Sequence, residues 1–382
     1  MFLIKGAKVF TVTDGIKEKT DVFIKGGKID KIAKNIKAPK GAKIIHADGL
    51  SLYPGFIDAH CHVGIMEEGN GQVGNDTNEM ISPSTPHLRA IDGINHEDPG
   101  FRDSYEKGGV TSVMVAPGSA NIIGGEACFM NTYGETVDDM VIEECIGMKM
   151  ALGENPKRVY GSQHKSPSTR MANASVMREN LFKAKEYLKK KSDKKAKQSF
   201  DLKMENLSKV IKKKVPARIH CHRADDIITA IRITKEFKIN SVIEHATDGH
   251  KIPKQIKKAK LPCCVGPTLI GRMKEELKDR TIETVKVLVE NGVDVAIVTD
   301  HPVLPLHALP MCAGYALKTG LSEEEILKTI TINPAKICGM EKKVGSIEKG
   351  KQADLVLWSG NPFFPDSQVE KVWIKGEMIF EK

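Results

Sequence analysis

The sequence predicts an α/β chain: a (β/α)8 TIM barrel with a small composite β-sandwich domain built from both termini. Three observations point there. Both ends read as short strands punctuated by glycine, and the long middle alternates apolar β runs with amphipathic helical stretches. The histidines that can carry chemistry recur where those β runs stop. The barrel is expected over 51–340, with 1–50 and 341–382 left for the joint β-domain. A doubly wound open sheet is the competing arrangement.

In chain order, residues 1–50 hold FLIKGAKVFTV, then DVFIKGGKIDKIA with Gly26-Gly27 as a hairpin signal, then AKIIHADGL. The middle offers eight candidate strands, at 52–60, 110–117, 126–133, 144–152, 217–222, 240–246, 262–268 and 294–300. Between the later ones, DDIITAIRITKEFK and KEELKDRTIETVKVLVENG place apolar residues at helical spacing. Residues 168–214 read as an enlarged helical insertion between the fourth and fifth strands. The tail segments GSIEKGKQADLVLWSG and VEKVWIKGEMIFEK return to alternating strands around glycine.

With 40% hydrophobic and 28% charged residues among 382, the chain can bury a sizeable core, and aromatics at 5% leave that core mostly aliphatic. The net charge of +9 is local. Residues 183–214 hold 13 Lys and 4 acids, and the remainder balances at 45 basic and 45 acidic side chains. That stretch has no Arg and few aromatics, so it reads as a solvated helical face, and no nucleic-acid partner is expected. Lys5 and Lys8 interrupt any apolar leader, and no run approaches the roughly 18 apolar residues of a membrane span. A cytoplasmic protein without a membrane partner is expected. The eight cysteines are scattered and form no CxxC, which suits reduced thiols.

His60 and His62 end the first barrel strand, and residues i and i+2 of a strand face the same way. His220 and His222 repeat that spacing after strand 5, His245 ends strand 6 and Asp300 ends strand 8. In a barrel all six share the rim where chemistry sits. Imidazole plus carboxylate is a ligand set for a divalent metal, zinc first, with manganese, iron or cobalt as alternatives. Lys149, late in strand 4 between apolar neighbours, is either a solvent-facing strand end or, carbamylated, a ligand; spacing leaves both open. Tyr160, Arg170, Arg223, Arg272 and His301 are of types that anchor polar substrates, and each suits a surface or capping role as well. GSANIIGG reads as a tight turn before a strand rather than a phosphate cradle.

PGFIDAHCH, the late histidines of strands 5 and 6, the VTDH end of strand 8 and the tail TINPAKICGMEKKVGSIEKGKQADLVLWSGNP together resemble the metal-dependent amidohydrolase superfamily, specifically its imidazolonepropionase-like and dipeptidase-like members. The resemblance covers nearly the whole chain. It implies that His60 and His62 bind one metal, His220 and His245 a second, and Lys149 bridges both as a carbamate. Asp300 would bind metal and move protons, with His245 and His222 near the carbonyl oxygen or leaving group. Two departures stand out: Arg223 follows the strand-5 histidines where dipeptidase-like members carry Gly, and Lys149 has no counterpart in the one-metal imidazolonepropionase pattern. The implied reaction is hydrolysis of a carbon–nitrogen bond in a small polar amide, cyclic amide or dipeptide-like molecule, by water whose pKa the metal lowers to about 7. The alternatives are a mononuclear imidazolonepropionase-type or deaminase-type ring hydrolase and a catalytically dead assembly protein. Relatives of this kind also imply a homo-oligomer.

Overall fold

A computed structural model describes residues 1–193, 195 and 198–382. The chain opens with β1 (Phe2–Phe10), β2 (Ile16–Lys25), β3 (Lys28–Ala33), β4 (Lys43–His46) and β5 (Ser51–Pro54). Eight further strands follow: β6 (Phe56–Cys61), β7 (Val110–Val115), β8 (Ile123–Asn131), β9 (Val141–Ala151), β10 (Ala217–Cys221), β11 (Ser241–His245), β12 (Cys263–Val265) and β13 (Val295–Ile297). They form one sheet whose spatial order is their chain order, and each overlaps one of the eight runs expected from sequence. The sheet nearly closes on itself: Asp300 N donates to His60 O at 3.2 Å and His62 N to His301 O at 2.9 Å. The buried Asp58 adds to the seam, accepting from Thr299 N at 2.9 Å and Thr299 Oγ1 at 2.6 Å.

One strand corrects the (β/α)8 expectation, because β8 runs antiparallel to both β7 and β9. A parallel neighbour needs a crossover of a dozen or more residues. Only 116–122 separate β7 from β8, and only a single turn, α2 (Val137–Met140), follows β8, after α1 (Pro99–Gly108) has preceded β7. The reversed strand therefore starts at the rim where its neighbours end. GSANIIGG leads into it there, and Thr85 Oγ1 donates to the carbonyls of Ile123 and Gly124, tying down the long loop after β6.

The remaining helices are α3 (Glu154–Ser162), α4 (Arg170–Ser192), α5 (Leu202–Ile211), α6 (Ala224–Phe237), α7 (Pro253–Ala259), α8 (Glu283–Glu290), α9 (Leu309–Ala316), α10 (Glu323–Thr329) and α11 (Ile332–Ile337). Helices α4 and α5 stand between β9 and β10 and start at the caps Thr169 and Asp201. Lys209 of α5 reaches the buried Glu126 of β8 at 2.6 Å, so Glu126 is held by the helix. Lys194, Ala196 and Lys197 of the basic stretch lie outside the described residues.

The chain closes with β14 (Leu355–Trp358), β15 (Val369–Ile374) and β16 (Glu377–Glu381), which join β1–β5 in a second sheet ordered β16-β15-β14-β5-β1-β2-β3, with β4 on β1. Its junction with the barrel is Gly55, whose N donates to Asp354 O at 2.9 Å; a Cβ there would stand 1.9 Å from Thr111 Oγ1. Asp354 is buried and accepts from Asn131 Nδ2 of β8 at 3.0 Å and Lys375 N at 2.8 Å. Among the described residues all eight cysteines are free, and no helix is long and apolar enough to cross a membrane.

Candidate active site

The barrel interior begins as an ordinary apolar layer. Phe129, Val242, Cys264 and Ala296 pack against Ala335 and Ile337 of α11. Above that layer it turns ionic. Arg218 of β10, wholly buried, lies 2.5 Å from Glu244 Oε1 of β11 and donates to Ala59 O at 2.6 Å. Glu244 Oε2 in turn meets His60 Nδ1 at 2.8 Å. Burial alone would raise the Glu244 carboxyl, but Arg218 and His60 outweigh it and hold it far below the ordinary carboxylate range.

Three further histidines are oriented through their second nitrogen. His62 Nδ1 lies 2.7 Å from Ala116 O, His245 Nδ1 2.8 Å from Gly266 O and His222 Nδ1 2.8 Å from Thr247 Oγ1. A carbonyl only accepts, so His62 and His245 carry their proton on Nδ1 and turn a bare Nε2 lone pair inward. Burial pushes His245 down to about 3 against the pull of Asp300, with His60 and Lys149 adding to it, and pushes His220 and His222 well below the usual imidazole range, helped by neighbouring imidazoles and Lys274. His60 alone moves up: burial and Lys149 lower it, but Glu244 and Asp300 prevail.

Asp300 stands between these rings, with Oδ1 3.4 Å from both His60 Nε2 and His62 Nε2. Burial raises its carboxyl, yet His245, His60 and His62 hold it well below the ordinary value, so it is ionised at neutral pH. Lys149 is also buried, and its Nζ sits 3.3 Å from His60 Nε2. Burial brings its ammonium down to about 8 against the pull of Glu244 and Asp300.

These donors fit a divalent metal. His62 Nε2 and Asp300 Oδ1 stand 3.4 Å apart where an ion could take both, and among the described residues His220 Nδ1 is buried without a partner. Ligand atoms of His220, His222 and His245 lie within 4.8 Å of one another, as do those of His60, His245 and Asp300. His222, read from sequence as outside the ligand set, thus belongs to the same cluster, and His245 is shared by both groups.

Alternation along a strand accounts for His60 with His62 and for His220 with Arg218, but not for Glu244 and His245, which are adjacent and still meet the same ring. The backbone explains this. His245, Ala246 and Asp300 have φ of 71°, 44° and 57°, in the left-handed region that side chains avoid, and such residues cluster at functional sites.

The histidines form the floor of a cavity of about 770 Å³. None of the five sequence-expected substrate anchors lines it. Tyr160 is buried, its hydroxyl bound to Ser82 O at 2.7 Å and Asn121 Oδ1 at 2.6 Å. Arg170 is spent on Asp226 and Glu276, each at 3.0 Å, and Arg223 on its neighbour Asp225 at 2.8 Å. Arg272 points outward to Lys278 O at 2.6 Å, and His301 is sealed against Gly100, where a Cβ would come within 3.0 Å of the imidazole. The wall instead presents Ser119, Asn155, Arg158 and Lys274, from segments that follow β7, β9 and β12. Sequence reading missed these because no period marks such segments. It missed Arg218 and Glu244 too, although Arg218 sits at the same-face spacing from His220.

Residues 51–379 match the Amidohydrolase family, and the chain belongs to that family. A crystal structure of an amidohydrolase from Thermotoga maritima MSB8 is 46% identical, covers 100% of both chains and superposes with a TM-score of 0.97. Amidohydrolase tasK from Hapsidospora irregularis is 29% identical over 391 residues, covering 94% of this chain and 40% of that protein. Imidazolonepropionase from Treponema denticola is 38% identical over 108 residues, 25% of this chain and 26% of that one. The chain therefore spans less than half of each of these two curated relatives.

Proposed function

We propose that the chain is a metal-dependent hydrolase cleaving a carbon–nitrogen bond in a small polar amide, cyclic amide or dipeptide-like substrate. The observation that carries this reading is the convergence of His62, His220, His222, His245 and Asp300 on the floor of one cavity, with His60 and Lys149 buried directly behind them. His60, His62, His220 and His245 would hold the metal together with Asp300, zinc being the first candidate and manganese, iron or cobalt the alternatives. When bound, a divalent ion supplies Lewis acidity and brings the pKa of water to about 7.

The chain's own groups do the rest. Asp300, ionised and facing the cavity, accepts a proton from the attacking water and returns it to the departing nitrogen, base and then acid in turn. His222, held through Nδ1 by Thr247, presents its other edge to the substrate carbonyl oxygen. Lys149 enters as a carbamate, its amine taking up carbon dioxide with loss of a proton. That replaces a cation among metal ligands with an anion able to bind two ions. The cavity volume suits a small molecule, and eight free cysteines suit a reducing compartment such as the cytoplasm. A mononuclear ring hydrolase is the second reading, favoured by the likeness to imidazolonepropionase and opposed by Lys149 beside His60.

The test is metal analysis of purified protein, then chelation and reconstitution during a hydrolysis screen of N-acyl amino acids, dipeptides, hydantoin-like rings and N-acetyl sugars. Chelation should abolish turnover, and zinc, manganese or cobalt should restore it. Full turnover in thoroughly metal-free protein would sink the reading.

A further inference from the structure

The five histidines of the site differ in what stands behind them. His62 and His245 are backed by the carbonyl oxygens of Ala116 and Gly266, and His222 by the Thr247 hydroxyl. His220 Nδ1 has no partner among the described residues. Of the five, only His60 is backed by an anion, Glu244 Oε2, 2.8 Å from its Nδ1, with both side chains wholly buried. A lone carboxylate in that position would not stay ionised. Arg218 meets its other oxygen at 2.5 Å and donates to Ala59 O at 2.6 Å, which ties the carboxylate to the residue preceding His60. The arginine stem fits because β9 passes it with Gly147, where a Cβ would stand 2.5 Å from Arg218 Cγ. A buried ion pair is often no more stabilising than well-packed apolar side chains of the same volume, so packing alone does not account for this one. The donors themselves fall into two groups, His60 with His245 and Asp300, and His220 with His222 and His245. The first holds the anion-backed ring and a carboxylate. The second is all imidazole, one ring of it unbacked.

Resting on the metal-dependent reading, we propose that Glu244 is a positioning residue that makes these groups unequal: an ion held by His60, His245 and Asp300 is bound tightly, and an ion held by His220, His222 and His245 loosely. An ionised carboxylate only accepts, so it keeps the His60 proton on Nδ1 and leaves Nε2 free as a donor. Its charge, unscreened in the buried interior, raises the basicity of that nitrogen. A carbonyl does this more weakly. A hydroxyl donates as readily as it accepts, so it leaves the tautomer of His222 open. Arg218 sits on the far oxygen of Glu244, and the nearer negative charge therefore prevails at the His60 ring.

The experiment strips the purified protein with a chelator, reloads it with zinc against a chromophoric competitor, and records the melting temperature of the metal-free protein alongside. The parent should bind zinc in two phases at least about 10-fold apart in affinity. Glu244→Gln should weaken the tight phase about 10- to 100-fold and leave the loose phase unchanged. Thr247→Val, which removes the partner of His222, should weaken only the loose phase, by a few-fold. Because Glu244→Gln also strands Arg218, the double variant Arg218→Met/Glu244→Gln separates positioning from folding. Its metal-free melting temperature should rise above that of Glu244→Gln, while its tight phase stays as weak. Equal phases or a single phase in the parent overturn the inference. So does a tight phase that Glu244→Gln leaves untouched, that Thr247→Val weakens as much, or that returns with stability in the double variant. In each of these cases zinc still binds and the hydrolase reading stands. A parent that binds no metal overturns both.

Discussion

At the residue scale the site depends on who holds each proton. Asp300 is the group whose charge is set by the rings around it rather than by solvent. Asp300→Asn keeps shape and removes the proton acceptor, so bound metal should stay near the parent level while kcat falls about 10²- to 10⁴-fold. Metal analysis and steady-state kinetics on the same preparation check this, and turnover within a few-fold of the parent removes Asp300 from its role. Deeper in the barrel, Arg218→Met would leave the wholly buried Glu244 carboxylate without its arginine. The expected loss is about 3–5 kcal/mol in denaturant unfolding, part of it recovered when Glu244→Gln removes the second charge. The histidines and Asp300 were legible in the sequence because each ends an apolar run and the same-face rule groups them. The Arg218–Glu244 pair was not, because a charge inside an apolar strand looks outward-facing until the left-handed turn at His245 shows that both Glu244 and its neighbour reach the interior.

Elements were legible to the extent that hydrophobic runs announce strands. All eight barrel runs were found, whereas the direction of β8 was not, since a run reads the same in either direction and only the short connections on each side reveal the reversal. That reversal matters to the site: it brings the start of β8 and the loop bound to it to the rim, where Ser119 faces the cavity. The joint between β5 and β6 rests on the absence of a side chain at Gly55. Gly55→Ala should destabilise the protein by about 1–3 kcal/mol as an overpacking change, and Thr111→Ala should relieve part of that loss in the double variant, because it removes Oγ1 and Cγ2 but leaves the Thr111 Cβ 2.7 Å away. Additive losses from the two substitutions in thermal unfolding would mean that the tight contact with Thr111 is not what excludes a Cβ.

At the scale of the whole molecule, one end of the barrel is closed by α11 over an apolar layer and the other is lined with imidazoles and a carboxylate of the kinds that hold a divalent cation. Metal should therefore act as a folding ligand, stabilising by about 2.7 kcal/mol at a free concentration 100 times its Kd, so a chelator should lower Tm in proportion to the metal it withdraws. How many ions contribute turns on Lys149. An ammonium 3.3 Å from the His60 nitrogen proposed to bind metal would repel any ion placed there, whereas a carbamate would supply two oxygens and attract a second. The parent protein should carry close to two metals per chain. Lys149→Ala should carry fewer and melt lower, with a short-chain carboxylate restoring part of both, and protein stripped of carbon dioxide before metal loading should behave like the variant. A parent with a single metal, unchanged by Lys149→Ala and by removal of carbon dioxide, would show that Lys149 bridges nothing and that the site works with one ion.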